Sequence, residues 1–135
     1  MEITRRTDYG IRMLLALAEA EDSCPISVRA LAEAQGVPYA FARAVQRDLA
    51  AAGLVTVRRG AAGGLCLARP PSGITLLDAV VATQGEPTVA VCAADPGWCA
   101  RSGSCTVHRV WHDADALLRD YLGTKTLAGL LGGGK

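Results

Sequence analysis

The sequence predicts a mainly α fold with a small β wing: a winged helix-turn-helix domain followed by a long C-terminal dimerisation helix. Three observations predict it. One Phe, two Trp and three Tyr among 135 residues leave an aliphatic core in which alanine and leucine favour helix. Two apolar-periodic segments meet at a glycine turn and are followed by a glycine-rich hairpin. A long periodic apolar segment comes near the end. The length suits one domain, or a small domain with an appendage. The expected division is residues 1–71 for DNA binding and 72–135 for the cysteine loop and dimerisation helix, with the first helix also serving the second part.

Residues 4 to about 21 read as the first helix, with Thr4 as N-cap and Ile11, Leu14, Leu15 and Ala18 on one face. Asp8 lies in its first turns, where a carboxylate usually only complements the helix dipole. Residues 21–25 form a polar break containing Cys24. Ser27 caps a second helix, SVRALAEAQ, that stops at Gly36. The third, PYAFARAVQRDLAAAG, has Pro38 at its start and Gly53 past its end, the usual asymmetry. In it Phe41, Val45 and Leu49 step by four as the expected buried stripe. Tyr39, Arg43 and Arg47 step likewise from two residues earlier, about 200° around, and so face outward. An aromatic and two arginines facing outward suit base edges and phosphates of a DNA major groove. The plainer alternative is a solvated helix face.

Residues 54–58 and 65–69 read as two short strands joined by a glycine-rich turn at 59–64. After a helix-turn-helix, this hairpin is a wing. Arg58 and Arg59 sit at its base and tip, suited to the focused negative potential of a minor groove. A phosphate-cradling loop is excluded, because no Lys-Ser/Thr follows and no helix starts at its end. Residues 70–73 lead to a fourth helix, with Thr75 and Asp78 as a capping pair and Leu76, Leu77, Val80 and Val81 for packing. The chain leaves it at 85–87. From about Thr106 a long helix carries Val107, Val110, Trp111, Ala114, Leu117, Leu118 and Tyr121. Such a helix on so small a domain is expected to pack on a second copy, the alternative being burial within one chain. TLAGLL makes a last short helix, and GGGK should fray.

Before the long helix lies CAADPGWCARSGSCTVH, in which Cys92, Cys99, Cys105 and His108 are spaced C-x6-C-x5-C-x2-H. Pro96, Gly97, Ser102 and Gly103 favour turns there. A loop of soft sulfur donors suits a metal ion or cluster, iron–sulfur first and zinc second. Scattered buried cysteines are the plain alternative. Cys105 and His108 are expected on one face at the helix start. Five cysteines, an odd number, and no h-region in MEITRRTDYG argue for a cytoplasmic chain using thiols or ligands and no disulfide framework. Cys66 reads as a packing residue and Cys24 as an exposed loop residue, neither a ligand. No apolar run reaches membrane length, so no membrane association is expected. The net charge of +1 hides an asymmetry: nine Arg against seven acidic residues in 1–71, five basic against six acidic residues beyond. No nucleophile–base pair or cofactor fingerprint supports an enzyme.

These stretches together, EITRRTDYGIR, LAEAQGVPYAF, GLVTVRRGAAGGLCLARP, ITLLDAVVA, the cysteine trio and VHRVWHDADALL–TLAGLL, resemble the IscR/NsrR/RirA family of bacterial winged-helix regulators over nearly the whole chain. The first cysteine gap, x6, is one longer than the family's common x5. The resemblance implies a homodimer joined by the long helix and bound to a double-stranded, imperfectly palindromic operator, with a repressor's role. It implies an iron–sulfur cluster on Cys92, Cys99 and Cys105 that senses nitric oxide, redox state or iron supply. NsrR-like members take the fourth ligand from an aspartate of the partner's first helix, matched by Asp8. IscR-like members use a histidine after the third cysteine, matched by His108. Asp8 with a 4Fe–4S cluster is the favoured expectation, and 2Fe–2S with His108 the alternative. A further alternative keeps the fold and regulates through zinc or thiol oxidation without a cluster.

Overall fold

Thr4 starts the first helix as expected, its side chain accepting the Thr7 N–H at 3.2 Å. This computed structural model describes residues 1–133. Helix α1 (Arg5–Glu19) buries Met13, Leu14, Leu17 and Ala18, while the expected Ile11 and Leu15 flank that stripe half-buried. The buried face is therefore wider than the four residues the spacing singled out. The Thr7 hydroxyl lies 2.6 Å from both the Thr83 hydroxyl and Gln84 Oε1, and the Thr4 N–H donates to Gln84 Oε1 at 2.9 Å. These bonds satisfy a fully buried hydroxyl and fix the start of α1 against a later helix.

Helix α2 (Val28–Gln35) is capped by Ser27, which accepts the Ala30 N–H, and it ends at Gly36 with φ +64°, a conformation glycine adopts without Cβ cost. Helix α3 (Tyr39–Ala51) follows after Pro38. Its buried stripe is Ala42, Val45 and Leu49, which corrects the expected Phe41. The reason is the helical repeat: Ala42, Val45 and Leu49 step by three and four along one face, and Phe41 falls beside it. At Gly10 of α1 a Cβ would lie 3.1 Å from Thr83 Cγ2 and 3.5 Å from Val45 Cγ1. Phe41, 43% exposed, packs edge-on against Tyr9 with ring centroids 5.5 Å apart. An Arg6–Asp48 ion pair at 2.5 Å also ties α1 to α3, and its hydrogen bond raises the Arg6 pKa.

Strands β1 (Val55–Arg58) and β2 (Gly64–Leu67) pair antiparallel, Val55 opposite Leu67 and Arg58 opposite Gly64. The second strand thus starts and stops earlier than 65–69. Ile26, just ahead of α2, bridges Leu65 through N–H···O bonds of 3.0 and 2.8 Å. Gly64 is required there, since a Cβ would collide with the Ile26 backbone. Beside this bridge Cys24 and Cys66 form a disulfide, with Cα atoms 5.2 Å apart. That corrects the reading of a chain without disulfides, in which Cys66 only packs and Cys24 is exposed: Cys66 is buried, Cys24 half-buried, and they are bonded to each other.

Helix α4 (Leu76–Gln84) opens with a complete capping box: Thr75 accepts the Asp78 N–H at 3.1 Å, and Asp78 accepts the Thr75 N–H at 2.9 Å. Ala79 and Val80 are buried, Leu76 and Leu77 half-buried, and Val81, expected to pack, is exposed. Thr75→Ala is expected to lower stability by about 1 kcal/mol, read as an earlier urea midpoint at unchanged slope. A midpoint that does not move would mean the box is not formed in solution.

A one-turn helix α5 (Val91–Ala94) carries Cys92, so the cysteine loop is less irregular than expected. Helix α6 (His108–Gly123) begins two residues after Thr106. Helix α7 (Leu127–Gly133) seals the core with Leu127, whose N–H donates to the Ile74 carbonyl at 2.9 Å. Ile74, Ala79 and Leu127 join the same buried cluster as α1 to α3. Of the GGGK end, Gly132 and Gly133 belong to α7, and residues 134–135 lie outside the described residues. None of the α6 residues is buried. Among the described residues no helix is long and apolar enough to cross a membrane.

Candidate nucleic-acid interface and cysteine loop

The helix-turn-helix presents one side of α3 to solvent. Tyr39, Arg43 and Arg47 are all exposed, as their spacing requires once Ala42, Val45 and Leu49 face the core. Tyr39 is held between two guanidinium groups. Arg29 of α2 lies 4.2 Å above its ring and Arg43 lies 5.9 Å from it, while Arg43 Nη1 sits 3.4 Å from the Tyr39 hydroxyl. The Arg43 hydrogen bond, with both positive charges, lowers the Tyr39 pKa. Arg29 is a site residue that sequence reading missed. It is ten positions from Tyr39, and only the fold of the turn brings them together.

Arg58 ends β1 and Arg59 opens the turn beyond it, both exposed. Between α3 and this wing runs a groove of about 210 Å³, lined by Ser27, Arg43, Gln46, Arg58 and Gly60. Gln46 was also missed; it follows Val45 and was hidden by the four-residue steps. Among the described residues, Arg29, Arg43, Arg47, Arg58 and Arg59 form no ion pair with a carboxylate. Five uncompensated arginines on α2, α3 and the wing can bind a polyanion, and the groove gives side chains room to reach base edges.

The cysteine loop lies beyond α4. The Asp115 carboxylate of α6 accepts the Val89 N–H at 2.7 Å and the Thr88 hydroxyl at 2.6 Å, and Glu86 pairs with Arg119. These bonds anchor the loop's approach to α6. Cys92 sits on α5, Cys99 follows a 3₁₀ turn at Pro96–Trp98, and Cys105 follows the turn that includes Ser102 and Gly103. Its N–H donates to the Arg101 carbonyl at 2.7 Å. Cys105 therefore lies outside the helix that His108 begins, which corrects the expectation of one shared helical face. That turn uses up the residues that would have extended the helix backward.

All three loop thiols are free and half-buried. Ser102 Oγ and His108 Nδ1 are buried with no hydrogen-bond partner among the described residues. Buried polar atoms are nearly always satisfied, so two orphans between and beside three free thiols fit a loop built to hold a further group. The donor set, three sulfurs with an imidazole nearby, is chemically right for iron–sulfur or zinc. Among the described residues, the single chain does not itself gather three metal-binding side chains into one cluster. Trp98 is 65% exposed in the single chain.

Asp8 is not free. Its carboxylate accepts from Arg12 at 2.6 and 3.1 Å, and Arg12 Nη1 also donates to the Gln35 carbonyl at 3.3 Å, at the end of α2. The guanidinium lies 5.4 Å over the Tyr9 ring. Asp8 is thus the far end of a short chain of contacts that reaches the helix-turn-helix.

Comparison with known proteins shows what the whole chain is similar to. Residues 3–133 match the family described as Rrf2, iron-dependent transcriptional regulator. The chain is 32% identical over 131 residues to the protein rrf2 of Nitratidesulfovibrio vulgaris, covering 97% of this chain and 87% of that one. It is 35% identical over 115 residues to the transcriptional repressor NsrR of Streptomyces coelicolor, covering 84% and 77%. Among solved structures, T. potens IscR superposes with a TM-score of 0.78 at 25% identity, covering 100% of this chain and 89% of that one.

Proposed function

The chain belongs to the Rrf2 family of transcriptional regulators, and on that premise we propose that it is a homodimeric repressor whose operator binding is controlled by an iron–sulfur cluster. It is a DNA-binding regulator and not an enzyme. The observation that carries the proposal is the cysteine loop: three free thiols beside two buried polar atoms without partners.

Cys92, Cys99 and Cys105 would hold a 4Fe–4S cluster, with Asp8 of the partner subunit as fourth ligand. A bound cluster supplies an iron open to nitric oxide or oxygen at its weakest ligand, the hard carboxylate. The chain's own residues supply the coupling. Asp8 is bonded to Arg12, and Arg12 to the Gln35 carbonyl that ends α2. A pull on Asp8 is therefore felt where α2 turns into α3. From there Tyr39, Arg43 and Arg47 read the major groove, and Arg58 and Arg59 enter the minor groove. His108 is a second reading for the fourth ligand, favoured by its buried, unpartnered Nδ1, and it suits a 2Fe–2S cluster.

Protein purified without oxygen is expected to be brown, with about four iron and four sulfide per chain, and to bleach on nitric oxide titration. About two of each would select the 2Fe–2S reading with His108. A colourless protein would overturn the cluster. Regulation by zinc or by thiol oxidation would then stand, the latter supported by the Cys24–Cys66 disulfide.

A further inference from the structure

Cys24 and Cys66 lie outside the cysteine loop, 42 positions apart, and the segment between them contains every side chain assigned above to DNA. Cys24 precedes the Ser27 cap of α2. Cys66 lies in β2, next to Leu65, whose backbone bridges Ile26. The disulfide therefore fastens the segment that feeds the helix-turn-helix to the strand that carries the wing. The two thiols also differ in access. Cys24 is half-buried, whereas Cys66 is 5% exposed and already adjacent.

We propose that Cys24 and Cys66 form a reversible redox-modification site that sets how firmly the wing is held against the helix-turn-helix. This rests on the DNA-binding reading and is independent of any cluster. The oxidant is a peroxide. The Cys24 thiol takes one peroxide oxygen to become a sulfenic acid, and the first water leaves. The Cys66 thiol then attacks that sulfur, the S–S bond forms, and the hydroxyl leaves as the second water. Two thiols lose two electrons and two protons, and the peroxide gains both. A dithiol reverses the change by exchange through a mixed disulfide.

Among the described residues, the backbone hydrogen bonds that join the two segments are those between Ile26 and Leu65, and these remain in the reduced form beside the packing of Ile26 on the core. In the linked form Arg58 and Arg59 reach DNA already positioned relative to Arg43 and Arg47, so less ordering accompanies binding. The groove lined by Arg43, Gln46 and Arg58 lies between α3 and the wing that the link holds.

The test uses the full chain, reduced without oxygen and then treated with hydrogen peroxide, beside Cys24→Ser and Cys66→Ser. The probe is the tightest-binding duplex recovered from a random-sequence pool. A linked Cys24–Cys66 peptide, reversed by dithiothreitol, is expected by mass spectrometry, with slower amide exchange across residues 55–67. The linked form is expected to bind the duplex at least about five-fold more tightly than either serine variant given the same peroxide, through the smaller ordering cost. Without peroxide the three reduced proteins should bind alike. Because the loop cysteines are common to all three proteins, the difference between wild type and variant at equal peroxide belongs to the pair. Absence of the link in the folded chain overturns the proposal, as does a linked form that binds less than about five-fold more tightly than the serine variants at equal peroxide, too little for prepaid ordering. A reduced protein that binds no duplex overturns the DNA-binding reading first, and this one with it.

Discussion

Replacing Leu117 with glutamate is expected to leave the proposed dimer as folded monomers. Leu117 is 71% exposed in the single chain, and Val110, Trp111 and Tyr121 are exposed along the same helix. Beside them an apolar cavity of about 310 Å³ is lined by Met1, Ile3, Val89, Leu118 and Leu122. A contiguous apolar face of this kind on a small protein marks an interaction surface. In the proposed dimer a second copy covers it by two-fold symmetry, so one substitution places two buried carboxylates in the interface. Desolvating each costs several kcal/mol. The expected result is a monomer at micromolar concentration by light scattering, with an unchanged thermal midpoint for the isolated fold. Operator affinity should fall on the order of 100-fold, because two half-sites are no longer joined. A variant that stays dimeric, or a wild type that is itself monomeric, would place dimerisation elsewhere or remove it.

The exposed face of α6 was legible because helical periodicity is local: an apolar stripe is visible whether or not anything covers it. The caps were legible for the same reason. Thr4, Ser27 and the Thr75–Asp78 pair act within three residues of themselves, and each does what its type and spacing require. Phe41 was misplaced because steps of three and of four both follow a helix face, and the sequence does not say that the face through Ala42 packs while Phe41 turns to the Tyr9 ring, thirty-two positions away. The Cys24–Cys66 disulfide and the Arg29–Tyr39 stack were hidden likewise, since each joins residues that meet only after the chain folds. The cysteine loop was half legible. Its donor types are written in the sequence, but the turn that separates Cys105 from the His108 helix is a matter of backbone geometry.

Cys99→Ser is expected to strip the cluster from the protein and, with it, at least about 100-fold of operator affinity, the scale of a lost coupling between two states. Serine is nearly isosteric with cysteine, and Cys99 is half-buried after a short 3₁₀ turn, so packing changes little. A hydroxyl, however, is a poor ligand for iron–sulfur iron. Loss of visible absorbance at unchanged helix content would separate a ligand from a structural residue; retained absorbance would remove Cys99 from the ligand set. The fourth ligand is decided by a matched pair, Asp8→Ala and His108→Ala. Asp8→Ala breaks a half-exposed ion pair with Arg12, worth at most about 1 kcal/mol. A large change in the cluster spectrum, or in its loss on nitric oxide, therefore cannot come from destabilisation. If Asp8 of the partner subunit is the ligand, that change appears in Asp8→Ala and not in His108→Ala, and it is accompanied by weaker DNA binding, because the Arg12–Gln35 contact loses its anchor. If His108 is the ligand, the spectrum changes in His108→Ala alone, within one chain, and the path from cluster to DNA must run along α6 to the partner instead of through α1.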